Sequence, residues 1–139
     1  MTKAEEYDKA WRLGFNGDFS LVDKIYHSDY SAYDYRAGVE VNLEMDKVVV
    51  ATLSEGATTT GPSRTIFEDE KFVCIERTFK TVRTEEISFG VVLTALTYLS
   101  GLIITAEVSA LLKLKTQVTS KTGVGKTMNK HQVVSGLSF

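Results

Sequence analysis

The chain has 139 residues, 43% of them hydrophobic, which suits a single domain with a core of its own. Its 16 basic residues nearly balance 18 acidic ones, so no general cationic surface for nucleic acid is expected, and a single cysteine, Cys74, excludes an internal disulfide. The opening MTKAEEYDKAW is too charged for a signal peptide, which makes a cytoplasmic location the expectation.

Thr2 with Glu5 forms a capping box, and Ala4, Tyr7, Ala10, Trp11 and Phe15 follow at helical spacing, predicting an amphipathic first helix. Gly14 and Asn16-Gly17 end it. Asp18 is then placed to cap a second helix carrying Phe19, Val22, Ile25 and Tyr26, with His27 at its exposed end. The segment DYSAYDYR, Asp29 to Arg36, is aromatic and alternates with period two, so it reads as a strand ending near Gly38. Asn42 is a candidate cap for a third helix through Leu53, against the grain of the consecutive Val48, Val49 and Val50.

After Gly56, the threonines Thr58 to Thr60 and Gly61-Pro62 read as an irregular approach to two strands, SRTIF and KFVCIERTFKTV, joined across Glu68-Asp69-Glu70. On the second, Phe72, Cys74, Glu76, Thr78 and Lys80 share one face, and Val73, Ile75, Arg77, Phe79 and Thr81 share the other. Arg83 to Glu86 forms a charged loop.

The long apolar stretch from Ile87 to Leu112 admits two readings. Ile87 to Ala106 is uncharged and long enough to span a bilayer as a helix. Its β-branched residues, its scattered Thr and Ser, and Ser100-Gly101 at its centre favour a β-hairpin instead. Strict alternation on the returning strand puts Leu102, Ile104, Ala106, Val108, Ala110 and Leu112 on an apolar face, and Ile103, Thr105 and Glu107 on the opposite one. Beyond Glu107 the only charges are Lys113, Lys115, Lys121, Lys126 and Lys130, so residues 1–115 read as the domain and 116–139 as a basic, polar extension. Helices followed by strands define an α+β class with a helix-covered antiparallel sheet.

This order of elements, together with YHSDYSAYDYRAG at Tyr26 to Gly38, resembles the nuclear transport factor two-like superfamily, which includes ketosteroid isomerase and the SnoaL-like polyketide cyclases. The resemblance covers about residues 4 to 115. It implies a cone-shaped fold, three N-terminal helices packed on a curved antiparallel sheet around a pocket, and a homodimer formed through the sheet. The fold hosts isomerases, cyclases, dehydratases and non-catalytic proteins, so it implies a pocket more than a reaction. In the isomerases a tyrosine-containing helix end leads through an Asp-rich turn into a strand with the catalytic aspartate, and Tyr26, Asp29 and Asp34 occupy that pattern here. Asp34 is thereby the candidate base, with Tyr26 or Tyr30 as an orienting donor. A carboxylate in a dry pocket has a raised pKa and can move a proton beside a carbonyl. Tyr35 stands where the isomerases have proline, which turns the comparison toward the broader SnoaL-like group.

The candidate ligand-binding set is Trp11, Tyr30, Asp34, Cys74 and Glu76. Bland alternatives stand beside each: Asp34 could pair with Arg36, the aromatics could fill the core, Cys74 could be a buried inert thiol, and Glu76 could be solvated. No cofactor is expected. SKTGVGKT at Ser120 to Thr127 lacks the first glycine of a phosphate-binding loop, and two histidines with one cysteine offer no metal cluster. His131 and the closing Val133, Val134, Leu137 and Phe139 belong to the extension. The expected partners are a small apolar carbonyl compound and a second copy of the chain, with no nucleic acid and no membrane. The rival class is a non-catalytic ligand-binding or association module.

Overall fold

The structure, a computed structural model, describes residues 1–55, 58–83, 85–117 and 133–134. Three helices, α1 (Lys3–Phe15), α2 (Val22–Ile25) and α3 (Leu43–Glu55), accompany strands β1 (Tyr26–Asp34), β2 (Val39–Val41), β3 (Thr58–Glu68), β4 (Phe72–Arg83), β5 (Glu86–Leu99), β6 (Leu102–Gln117) and β7 (Val133–Val134). The strands form one sheet in the order β2-β1-β6-β5-β4-β3, with β7 paired to β6. This is the expected α+β architecture, with one difference in the sheet. β1 runs parallel to β6, while every other pair is antiparallel, so the sheet is mixed.

Local chemistry sets the helix ends. The Thr2 hydroxyl accepts from Glu5 N, and the Glu5 carboxylate accepts from Thr2 N, completing the capping box of α1. Glu68, at the end of β3, accepts from Lys3 N and Ala4 N and ties that first turn to the sheet. Asn42 Oδ1 accepts from Met45 N at the start of α3, which forms despite its three valines.

Two expected elements differ. The second helix is a single turn, because Asp18 closes a turn onto Ser20 N rather than capping a helix. Tyr26 is already extended and pairs with Ile103, so His27 lies in a strand instead of at a helix end. Thr58 to Pro62 is part of β3, bulged between Thr60 and Ser63, where Gly61 passes so close to Thr78 that a Cβ has no room. The chain also reverses after Asp34, with Gly38 at φ +68°, into the short β2 that the sequence did not signal.

The stretch with two readings is the β5–β6 hairpin, and among the described residues no helix is long and apolar enough to cross a membrane. Ser100 and Gly101, both at positive φ, make its turn. Strict alternation fails on β6. Thr97 faces Thr105 and Tyr98 faces Ile103, so Ile104 is the extra residue of a bulge, and Ile103 joins Ala106 on the buried face. Ile75, Leu96, Ile103, Val22 and Val73 are the largest fully enclosed side chains, each worth roughly 1.5–3 kcal/mol of burial. They fix the helices on one face of the sheet. SKTGVGKT, His131, Leu137 and Phe139 lie outside the described residues, while Val133 and Val134 pair with Lys115 and Leu114.

Candidate functional site

Between the helices and the sheet lies a cavity of about 120 Å3. α1 contributes Tyr7, Trp11 and Phe15, β1 contributes Tyr26 and Tyr30, and α3 contributes Asp46, Val49, Val50 and Leu53. The sheet floor is Ile75, Arg77, Phe79, Val92, Thr94, Ala106 and Val108. Arg36, Leu53, Phe79 and Val92 are shared with an outer cavity of about 540 Å3, lined further by Tyr35, Phe89, Val91 and Ala110 with Thr58, Thr81 and Ser88. A narrow inner chamber thus continues into a broader apolar one.

The polar groups of the inner chamber fall into two sets. In the first, Trp11 Nε1 donates to Tyr26 Oη at 2.9 Å, the Tyr26 and Tyr30 rings meet edge to face at 4.5 Å, and Tyr30 Oη donates to Asp46 Oδ2 at 3.1 Å. Burial pushes the Asp46 carboxyl up to about 6, the charge of Asp34 adds to the rise, and the Tyr30 hydrogen bond and Arg36 oppose it. Burial likewise raises Tyr26 and Tyr30 far above the ordinary phenol value, so both stay protonated donors.

The second set hangs from Arg77. Its Nη2 donates to Asp8 Oδ1 at 2.6 Å, and its guanidinium lies over the Tyr7 ring at 5.6 Å. Asp8 also accepts from Arg12 Nε at 2.7 Å and from Ser63 Oγ at 2.9 Å. Burial pushes the Asp8 carboxyl up, but the Arg12 hydrogen bond and the Arg77 charge outweigh it and the net shift is downward. The buried Arg77 Nε has no hydrogen-bond partner among the described residues.

Of the residues singled out from sequence, Trp11, Tyr26 and Tyr30 come together in the cavity wall. Asp34 does not line it. Arg36 Nε and Nη2 hold its two carboxylate oxygens at 2.9 Å each, and although burial pushes the Asp34 carboxyl up, those contacts bring it below the usual range. Asp29 is exposed, its amide donating to His27 Nδ1. Cys74 and Glu76 sit on the opposite face of β4 from the buried Val73, Ile75 and Arg77, away from the cavity; burial raises the thiol, and Glu76 pairs with the exposed Arg64. Besides Arg36 and Thr94, sequence reasoning did not place Asp46 and Arg77 in the site. A signal for each existed: Asp46 shares one helical face with Val49, Val50 and Leu53, and Arg77 alternates with Val73 and Ile75. No three His, Cys, Asp or Glu side chains among the described residues are grouped as metal ligands.

No protein-family model matches the chain, and no curated protein matches it significantly. Solved structures do. A loop-truncated variant of IdmH superposes with a TM-score of 0.64 at 10% identity, covering 77% of this chain and 91% of that one. A protein of ketosteroid isomerase-like fold from Catenulispora acidiphila, solved with trimethylamine, gives 0.59 at 14% identity over 78% and 86%. AclR from Streptomyces galilaeus gives 0.57 at 14% identity over 78% and 80%. The chain therefore has the nuclear transport factor two-like fold. A ketosteroid isomerase-like fold is what the Catenulispora neighbour is described as having, in line with the resemblance in the sequence. At such identities the likeness speaks for the fold, and function rests on the cavity.

Proposed function

We propose that the protein binds a small, largely apolar carbonyl compound in this cavity and moves a proton at the carbon next to the carbonyl, with Asp46 as the base. The observation that carries the reading is the Tyr30–Asp46 pair: a carboxyl at about 6, hydrogen-bonded to a neutral phenol and surrounded by Val49, Val50 and Leu53. Near neutral pH such a group is mostly ionised yet close to its own pKa, so it can take a proton from a weakly acidic C–H and return it to another carbon, which isomerises the ligand. Where the enolate carbon instead bonds to a second carbonyl carbon of the same ligand, the proton returns to that carbonyl's oxygen and the net result is ring closure; neither cycle consumes anything. Asp46 takes the role that the resemblance gave to Asp34, while Tyr30 keeps the orienting role by fixing the carboxylate.

The inner chamber suits the reacting end of a ligand, and the outer chamber, nearer the size of ordinary ligand sites, suits an apolar remainder. A second reading, a binder of small protonated amines, is favoured by the ring cluster of Trp11, Tyr26 and Tyr30 beside Asp46 and by the trimethylamine in the Catenulispora protein. A homodimer through the sheet face away from the helices fits the half-exposed Phe67 and Leu99 left there.

The test is hydrogen–deuterium exchange at the α-carbon of small ketones and enones, followed by NMR in D2O. The wild-type protein should catalyse exchange, and Asp46→Asn should bind the same compounds without catalysing it. Equal exchange by both proteins removes Asp46 from the chemistry. Binding of amines with no ketone binding selects the second reading.

A further inference from the structure

Gly90 lies inside β5, which keeps unbroken register with β4 from Glu86 to Thr97. A glycine inside a strand loosens it, so something should require it there: a positive φ, a neighbour too close for a Cβ, a bulge, or the approach of a ligand. The first three do not apply. The described glycines at positive φ are Gly17, Gly38 and Gly101. A Cβ at Gly90 would meet nothing within 4 Å, in contrast to one at Gly61, and even Phe79, its cross-strand partner on β4, leaves the position uncovered. The nearby bulge has its extra residue on β6, because Val91 faces Leu112 and Val92 faces Ala110, which makes Leu111 the inserted one. Gly90 shares a strand face with Val92 and Thr94 of the inner chamber, and itself lines the outer one.

We infer that Gly90 is the specificity-determining residue of the outer chamber: its bare backbone leaves room for a flat, neutral ring that the ligand carries beyond its reacting end. The inference rests on the reading of the cavity as a ligand site and adds the size and shape of what it takes. At about 120 Å3 the inner chamber accommodates no more than one small ring, since a cavity of roughly 150 Å3 holds a benzene. A larger ligand must extend outward, where Leu53, Phe79 and Phe89 stand around the Gly90 floor. The charged side chain among the described residues lining that chamber, Arg36, is held by Asp34. The Thr58 and Thr81 hydroxyls bond to each other at 2.7 Å, and that of Ser88 donates to Glu86. The chamber thus offers a ligand mainly apolar contact. With no side chain at Gly90, the surface beneath is the peptide plane itself, which suits a flat ring better than a bulky one.

The test compares cyclohexanone with 4-phenylcyclohexanone, the same ketone carrying one added ring, by methyl NMR titration of the full chain. With the wild-type protein the phenyl compound should bind about 10- to 100-fold more tightly and shift the Ala110 methyl of the outer chamber, which cyclohexanone leaves in place. Gly90→Val fills the space above the backbone and should erase that difference. Gly90→Ala should erase part of it, and it carries the test alone if the larger variant does not fold. Gly90→Ala should leave Tm level or raise it, since the φ is ordinary and the space open. Phenylcyclohexane, which lacks the oxygen, separates the two readings. If it binds as tightly as the phenyl ketone and loses as much in the variants, the carbonyl reading falls while the role of Gly90 stands. The inference is overturned if the phenyl compound has no advantage in the wild type, keeps all of it in the variants, or if Gly90→Ala lowers Tm. It is overturned too, together with the cavity as a ligand site, if no ring compound shifts any cavity methyl.

Discussion

Tyr30 Oη and Asp46 Oδ2 lie 3.1 Å apart, joining strand β1 to helix α3 across the roof of the cavity. The phenol is the donor that favours the ionised carboxyl, and burial works against it. Tyr30→Phe removes the favourable part alone. The Asp46 carboxyl should then titrate above about 6, and a pH profile of catalysed exchange should move its acidic limb upward with it. Carbon-detected NMR on the variant checks the first, and rates across neutral pH check the second.

Asp46 also sets a pH dependence of stability. Its pKa is about 6 in the fold against roughly 3.9 in an unfolded chain, so folding favours the protonated form. The cost of ionisation is absent below the unfolded value, grows through the window between the two values, and is complete above the folded one. Asp46→Asn stays neutral throughout and should be more stable than wild type at pH 8, by up to about 3 kcal/mol. The two proteins should converge near pH 4 in urea denaturation, because there both carry a neutral side chain.

Removing Asp8 leaves a buried guanidinium without its counter-charge. Asp8→Ala should lower stability by about 3–5 kcal/mol, visible as a fall in Tm. Because the Asp8 carboxyl is held below its ordinary value, the stability it supplies is present above that value and fades as pH falls through the lowered one. The difference between Asp8→Ala and wild type should accordingly shrink in acid.

At Gly61 the Thr78 side chain occupies the space a Cβ would need. Gly61→Ala should cost about 1–3 kcal/mol by forcing β3 away from β4. Adding Thr78→Ala, which clears the hydroxyl, should recover most of that loss in the same thermal denaturation assay.

Much of the fold was legible because local signals agree with the packing. The Thr2–Glu5 box, the Asn42 cap and the Ser100-Gly101 turn each act through neighbouring residues and appear as their side-chain chemistry requires. What escaped depends on distant partners. The short β2, the parallel pairing of β1 with β6 and the bulge at Ile104 arise from strand pairing, which leaves no local mark. The site divides the same way. Trp11, Tyr26 and Tyr30 stand out as aromatics on elements facing the core. The depth of Asp46 depends on how α3 lies over the sheet, and the inward turn of Arg77 on which face of β4 the helices cover. Asp34 and Arg36, two residues apart, meet through local geometry, and that pairing holds the Asp34 carboxyl below its usual range.

The most direct test is a carbon-detected NMR titration of the Asp46 carboxyl in the wild-type protein. A midpoint near 6 supports a water-poor cavity with a carboxylate poised for proton transfer. A midpoint at the ordinary value of roughly 3.9 contradicts it, because Asp46 would then be a solvated helix residue and the cavity would hold no base.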